Sequence, residues 1–230
     1  IGNLALETLT GLKGIRNQRG SILPNKQSIL PKVVASLHPA SLLHQDGAGG
    51  ISSWKEIQYI KFDFRRAVEQ SAFREIRSTE RTLSVAHSSV DVYRFLNRYQ
   101  DKSEVSLDVE TYKTYPMCIA LAFNNWEAIS IPLFNIQMPY NEDGIPLHDA
   151  AETWRMIAEF VHDTKIKVIG QNLKFDERII CDVGLKPHDI YFDTMLGWKT
   201  IYPEFPGSLQ FISSMLTEEP YYKDEGKEYN

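Results

Sequence analysis

Two acidic residues one position apart are the clearest chemistry-bearing feature of the chain. In Ser106-Leu107-Asp108-Val109-Glu110-Thr111 apolar and polar residues alternate. Strand geometry turns Asp108 and Glu110 to one face, roughly 6.5 Å apart, with Leu107 and Val109 opposite. Carboxylates at that spacing repel each other unless a cation lies between them or both face water at a strand end. About 65 residues later, Gly170-Gln171-Asn172 reads as a turn between the strand Lys167-Val168-Ile169 and a helix carrying Asp176 in its first turn. A hairpin and one helix between the two stretches would bring the chain back alongside the Asp108 strand. Asp108, Glu110 and Asp176 would then converge at neighbouring element ends, where oxygen donors with positions left for water and phosphate suit Mg²⁺ or Mn²⁺. Taken alone, Asn172 and Asp176 equally suit a helix N-terminus, as cap and dipole partner.

The elements that must position these residues follow from periodicity. Thr82 to Ala86 alternates as a strand, and Ser88 or Ser89 can cap a helix reaching Tyr99 with Val92, Phe95 and Leu96 inward. Glu104 to Val109, Cys118 to Phe123 and Trp126 to Ile131 read as strands. The last two are joined through Asn124-Asn125, whose tolerance of positive φ suits a tight antiparallel hairpin. Asp149 to Val161 is a helix by the spacing of Ala151, Trp154, Ile157, Ala158 and Val161. Helices are also expected over Leu173 to Val183 and Thr194 to Tyr202, with a short strand at Ile190 to Phe192. Strands first, then helices alternating with strands, imply an α/β domain with a mixed sheet.

Upstream, Leu4, Leu6 and Leu9 mark a helix ending at Gly11, so that Ile1 reads as a start in mid-structure. Arg16 to Lys32 is loop or edge hairpin, Lys32 to Leu37 a buried strand, and Trp54 to Phe73 a helix following the Gly47-Ala48-Gly49-Gly50 loop. The polar, non-periodic run Glu75 to Arg81 suggests a boundary. The expected organisation is therefore a segment at 1–75, a linker at 76–81 and a second domain at 82–230.

With 43% hydrophobic and 24% charged residues in 230, the chain can bury a normal core, which excludes a disordered or collagen-like polymer. No window approaches the ~18 consecutive apolar residues of a membrane span, and the first residues lack a signal-peptide pattern. No membrane partner and a cytoplasmic location are the expectations. Cys118 and Cys181 have neither disulfide nor zinc spacing and read as small buried residues. The net charge of −5 hides an asymmetry: residues 1–100 carry 14 Lys and Arg against 8 Asp and Glu, residues 101–230 carry 11 against 22. A basic segment joined to an acidic one suits phosphate contact on one side and cation binding on the other.

Leu107-Asp108-Val109-Glu110-Thr111 resembles the first motif, and Asn172-Leu173-Lys174-Phe175-Asp176 the second, of the DEDD 3′–5′ exonucleases. Tyr191-Phe192-Asp193-Thr194-Met195-Leu196, with Tyr202-Pro203, Gly207-Ser208-Leu209 and Glu219 to Glu225, resembles the proofreading domains of phage-type family A DNA polymerases. The resemblance covers about Thr82 to Asn230. It implies a ribonuclease-H-like mixed sheet flanked by helices and two-metal hydrolysis of a terminal phosphodiester with two Mg²⁺ or Mn²⁺ ions. Asp108 would bridge both ions, Glu110 would complete the site of the ion that activates water, and Asp176 would hold the second. Thr111, Asn172, Lys174 and Phe175 would meet the 3′ end of a single-stranded DNA, with Arg178, Tyr112 and Tyr115 nearby. A polymerase domain would follow downstream, in a bacterial or phage-infected cell. The family's third motif, Tyr-x-x-x-Asp or His-x-x-x-x-Asp, has no counterpart: Tyr221 precedes Glu225 out of context, and Tyr229 precedes only Asn230. The expected consequence is an incomplete site with weak activity. An RNA-trimming exonuclease and a non-catalytic nucleic-acid-binding module remain alternatives.

Within residues 1–75, Gly2-Asn3-Leu4-Ala5-Leu6, Leu9-Thr10-Gly11, Arg19-Gly20-Ser21, His38-Pro39-Ala40 and Asp63-Phe64-Arg65-Arg66-Ala67 together resemble the C-terminal half of a uracil-DNA glycosylase superfamily domain. The resemblance implies a partial α/β glycosylase-like segment in which His38 and Pro39 belong to the loop that enters DNA. On local pattern alone, His38 is equally a histidine satisfied by backbone at a strand end.

Overall fold

The computed structural model describes residues 2–27, 32–43, 51–77, 79–133, 147–163, 165–187 and 189–222. The chain forms two compact units, Thr79–Ile201 and a discontinuous one made of Ile1–Ser78 with Tyr202–Asn230. The discontinuous unit begins with α1 (Asn3–Thr10), the single turn α2 (Ile15–Gln18), the strands β1 (Ile22–Pro24) and β2 (Lys32–Val34), a 3₁₀ turn (Pro39–Leu43) and α3 (Ile51–Gln70). The continuous unit carries β3 (Thr82–Val85), α4 (Ser89–Arg98), β4 (Glu104–Tyr112), β5 (Tyr115–Ala122), β6 (Glu127–Pro132), α5 (Leu147–Asp163), β7 (Lys167–Gly170), α6 (Leu173–Asp182), β8 (Asp189–Asp193) and α7 (Thr194–Ile201). One further helix, α8 (Leu209–Leu216), lies in the discontinuous unit.

The continuous unit is built on a six-stranded sheet in the order β3-β6-β5-β4-β7-β8. β6, β5 and β4 are antiparallel neighbours, while β3 joins β6, and β7 and β8 extend β4, in parallel. This is the ribonuclease-H-like mixed sheet with flanking helices that the sequence led us to expect. Along β4, Val105, Leu107 and Val109 are buried while Ser106, Asp108 and Glu110 are exposed, as a period of two requires when one face packs. The buried face forms a single core with Ile119, Leu121, Ile129 and Val168, together with Phe95 of α4, Ile157 of α5 and Ile180 of α6. Ser88 caps α4 by accepting the Asp91 N–H, and the Asp91 carboxylate accepts the His87 N–H in return.

Some local expectations change. The β5–β6 hairpin exists, but neither Asn124 nor Asn125 adopts positive φ. The Asn124 carboxamide oxygen accepts the Trp126 and Glu127 N–H groups, so a side-chain turn does the work assigned to backbone tolerance. The cysteines are not both buried: Cys118 is half-buried and Cys181 exposed, because α6 turns Ile179 and Ile180 inward and Cys181 outward. β2 ends at Val34, although Ala35, Ser36 and Leu37 stay buried beyond the end of the β1 pairing. The Gly47 to Gly50 loop lies outside the described residues.

The larger departure is at the C-terminal end. Residues from Tyr202 onward, expected with the sheet, belong to the unit formed by the N-terminal segment. Buried cations explain this. Arg19 Nη2 and Nε donate to the Asp63 carboxylate at 2.5 and 3.3 Å, and Arg19 Nη1 donates to Ser214 Oγ at 2.9 Å. Arg66 Nη1 donates to the Gly20 and Ser214 carbonyls at 2.6 and 3.0 Å, closing the end of α8. Gly20, at φ +79°, leaves room for this: a Cβ there would lie 2.9 Å from the Ser214 carbonyl oxygen. Burial raises the Asp63 pKa while Arg19 opposes the rise. Removing one partner from such a buried cluster typically costs about 3–5 kcal/mol.

Cleavage between residues 75 and 81 should therefore not release a free N-terminal piece. The two fragments are expected to co-elute in size-exclusion chromatography, and Asp63→Ala, which leaves Arg19 and Arg66 without their counter-charge, should separate them. Immediate separation of the unaltered fragments would contradict this account.

Candidate active site

The candidate site lies where β4 and β7, neighbouring parallel strands, end. Such ends of α/β sheets leave a crevice for ligands. β4 presents Asp108 and Glu110 on its exposed face, opposite Ala120 and Cys118 of β5. Directly after Glu110 the register slips: Glu110 pairs with Cys118, but Thr111 pairs with Pro116, leaving Met117 as an extra residue on β5. Such a bulge twists the strand end and re-aims its side chains. Thr111 sits half-buried just past it.

From β7 the chain turns at Gly170 into α6. A Cβ on Gly170 would lie 2.8 Å from the Leu107 carbonyl oxygen and 2.5 Å from the Leu173 side chain, so only glycine lets the turn approach β4 this closely. Asn172 then takes the left-handed conformation, φ 59° and ψ 41°, and its side chain makes no cap hydrogen bond. Its expected role as a side-chain cap is thus not what the structure shows. The N–H groups of Asn172 and Leu173 donate instead to the Asp193 carboxylate, at 3.0 and 2.9 Å.

Asp176, one turn into α6, is buried, and its Oδ1 accepts the Val109 N–H at 3.0 Å. Val109 lies between Asp108 and Glu110, so the expected convergence of the two acidic stretches is present. Burial pushes the Asp176 pKa up to about 6. The neighbouring charges of Asp108 and Glu110 add to the rise, and the Val109 hydrogen bond works against it. Asp108 is raised as well, through the protein packed about its carboxyl. Three hard oxygen-donor groups, two of whose charges disfavour ionisation of Asp176, suit a divalent cation in chemistry. Among the described residues, however, no group of three or more His, Cys, Asp or Glu side chains is gathered closely enough to hold a metal ion. Asp108 and Glu110, both exposed, would have to turn toward Asp176 for that.

Lys174, Phe175 and Arg178 line the exposed side of α6. Tyr112 and Tyr115, paired across the tip of the β4–β5 hairpin, are 48% and 66% exposed and stand just beyond Glu110 and Thr111. With Met117, Leu133 and Trp154 they help line a cavity of about 540 Å³. His38 and Pro39 are exposed and lie in the discontinuous unit, where His38 Nδ1 accepts the Ala40 N–H at 3.1 Å. Tyr221 belongs to that unit too, its N–H donating to Ser21 Oγ. Glu225 and Tyr229 lie outside the described residues. Sequence reasoning missed Asp193 as a structural carboxylate, although Asp193-Thr194 before an apolar helical run carries an N-cap signature. Gly170 reads in the sequence as part of a turn but not as the point of closest approach to β4, and the bulge after Glu110 went unread.

Residues 84–204, more than half of the chain, match a family of 3′–5′ exonuclease domains. The chain belongs to this family. DNA polymerase I of Borreliella burgdorferi is 29% identical over 116 residues, which cover 47% of this chain and 12% of the polymerase. Among solved structures, Escherichia coli RNase D, an exoribonuclease involved in structured RNA processing, matches with a TM-score of 0.46 at 14% identity over 64% of this chain and 36% of its own. The EXD2 exonuclease domain soaked in Mn and GMP matches with a TM-score of 0.37 at 13% identity over 52% of this chain and 58% of its own. Among the described residues, no helix is long and apolar enough to cross a membrane.

The raised Asp176 pKa carries a stability signature in metal-free solution. The folded protein holds the Asp176 proton more tightly than the unfolded chain, so this group's contribution favours folding at low pH and is lost as pH rises from about 4 through 6. Relative to Asp176→Asn, the unaltered protein should lose thermal stability between pH 4 and 7, and Mn²⁺ should restore part of it at pH 7. Parallel pH profiles for the two proteins would show that Asp176 is not strained as described.

Proposed function

We propose that the Thr79–Ile201 unit is a proofreading nuclease that removes nucleotides from the 3′ end of single-stranded DNA, in a protein of the phage type with a polymerase domain downstream. The observation that carries the reading is the Asp176 carboxylate bound to the Val109 N–H between Asp108 and Glu110, inside the stretch that matches the exonuclease family. The likeness to a DNA polymerase I favours DNA over RNA as substrate and favours a polymerase as covalent neighbour.

In this reading Asp108, Glu110 and Asp176 hold two Mg²⁺ or Mn²⁺ ions. When bound, these supply Lewis-acid stabilisation of charge on the scissile phosphate and lower the pKa of the attacking water. The chain's own residues do the rest. Asp176, anchored by Val109 and already hard to ionise, gains from any cation that offsets its neighbours. Lys174 and Arg178 meet the phosphate backbone, Phe175, Tyr112 and Tyr115 offer rings on which terminal bases stack, and Thr111 and Asn172 border the reacting end.

We also propose that the N-terminal segment descends from the uracil-DNA glycosylase fold. His38 supports this by its place, exposed just ahead of the 3₁₀ turn with Nδ1 accepting the Ala40 N–H.

Mn²⁺ titration followed by water-proton relaxation should show binding that Asp108→Ala or Asp176→Ala removes. Any Mg²⁺-dependent shortening of 3′-labelled single-stranded DNA should fall at least about 100-fold in the same variants. Faster loss of RNA than of DNA would transfer the assignment to an RNA-trimming enzyme. No Mn²⁺ binding, with nucleic acid still bound, would favour the non-catalytic module.

A further inference from the structure

We infer that Asp193 is the positioning residue of this site: its single carboxylate locks the turn that presents Asp176 to β4. The functional meaning of this inference rests on the metal-binding reading above. Asp193 ends β8 and stands immediately before α7. Its Oδ1 accepts the Met195 and Leu196 N–H groups at 2.8 and 3.3 Å, as a helix cap does for its own helix. The same carboxylate also reaches back some twenty residues: Oδ1 accepts the Asn172 N–H at 3.0 Å and Oδ2 the Leu173 N–H at 2.9 Å. These donors at the start of α6 have no cap from the Asn172 side chain. One side chain therefore satisfies two helix N-termini and places its negative charge against both positive dipole ends. Thr194 extends the clamp, its hydroxyl within hydrogen-bond reach of the Gly170 carbonyl at 3.1 Å and of Gln171 Oε1, which share its single proton. Each residue from Gly170 to Leu173 is thus tied to Asp193 or Thr194.

The clamp matters because of the turn it holds. Asn172 sits in the left-handed region, which asparagine tolerates better than other residues with a Cβ but which its own side chain does not hold in place by a cap hydrogen bond. Without the Asp193 bonds the turn can relax toward ordinary backbone angles, and the axis of α6 swings with it. Asp176 lies three residues beyond Leu173, and its reach to the Val109 N–H depends on that axis. Asp193 therefore acts through α6 on Asp176, without touching the substrate itself.

Two substitutions separate this role from simple capping. Asp193→Ser keeps a cap for α7 but is too short to bridge to α6; Asp193→Asn keeps one acceptor oxygen and loses the charge. Amide hydrogen exchange of the 230-residue chain, read by NMR, and Mn²⁺ titration supply the two readouts. In Asp193→Ser the α7 amides should stay protected, whereas Asn172, Leu173 and also Val109, on the neighbouring strand, exchange faster. Mn²⁺ affinity should fall about 10-fold or more, and Asp193→Asn should give the same pattern more weakly. If Asn172 and Leu173 exchange faster while Val109 protection and Mn²⁺ affinity stay at their unaltered values, Asp193 is a cap only and the inference is overturned. Should the unaltered chain bind no Mn²⁺, the metal reading fails by itself, and Val109 exchange still decides the positioning role. If Asp193→Ser does not fold, Asp193→Asn decides by the same two readouts.

Discussion

A single hydrogen bond, from the Val109 N–H on the central strand to the Asp176 carboxylate on α6, makes one place out of two distant stretches of chain. Its cost explains the surroundings. The acceptor is a buried acid beside two other acids, and such a group persists only if the fold over-determines it. Gly170 lets the turn come within contact of the Leu107 carbonyl, Asn172 accepts a left-handed backbone, and Asp193 takes up the donors that this geometry frees. The slip in register after Glu110 belongs to the same place, with Met117 the extra residue on β5 just beyond the pairing of Glu110. A buried acid beside two others at a strand end is the arrangement that the proposed cation-binding role would use.

Polar burial organises the other unit differently. Its apolar core is small, with Leu6, Leu23 and Ala35 at its centre, and Arg19, Asp63 and Arg66 hold α8 to the N-terminal segment through hydrogen bonds to the end of that helix. Buried ion pairs contribute little net stability but penalise any arrangement that leaves a charge unmatched. That penalty selects one partner for α3, and it makes a unit continuous in space out of segments that are discontinuous in sequence.

Periodicity carried most of the elements. The alternation in β4, the capping serine of α4 and the helical spacing of α5 express local rules that hold whatever the fold. Where reading failed, a local pattern had two physical solutions. Asn124-Asn125 promised a turn, and a turn is there, but its side-chain hydrogen bonds replaced the positive φ values. Cys181 looked buried because cysteines usually are, and only the packing face of α6 shows that it points outward.

The sequence by itself determined which residues could do chemistry and the type of sheet that carries them: the acidic pair at Asp108 and Glu110, the turn before Asp176, and the order of strands and helices. Those features depend on near neighbours in the chain. Only the tertiary structure decided which distant groups share a proton, a charge or a hydrogen bond. Asp193 serving two helices, Val109 holding Asp176, and α8 joining the N-terminal segment are contacts between residues 15 or more positions apart. Such contacts depend on burial and on the angle at which elements cross, and no single stretch of residues records either.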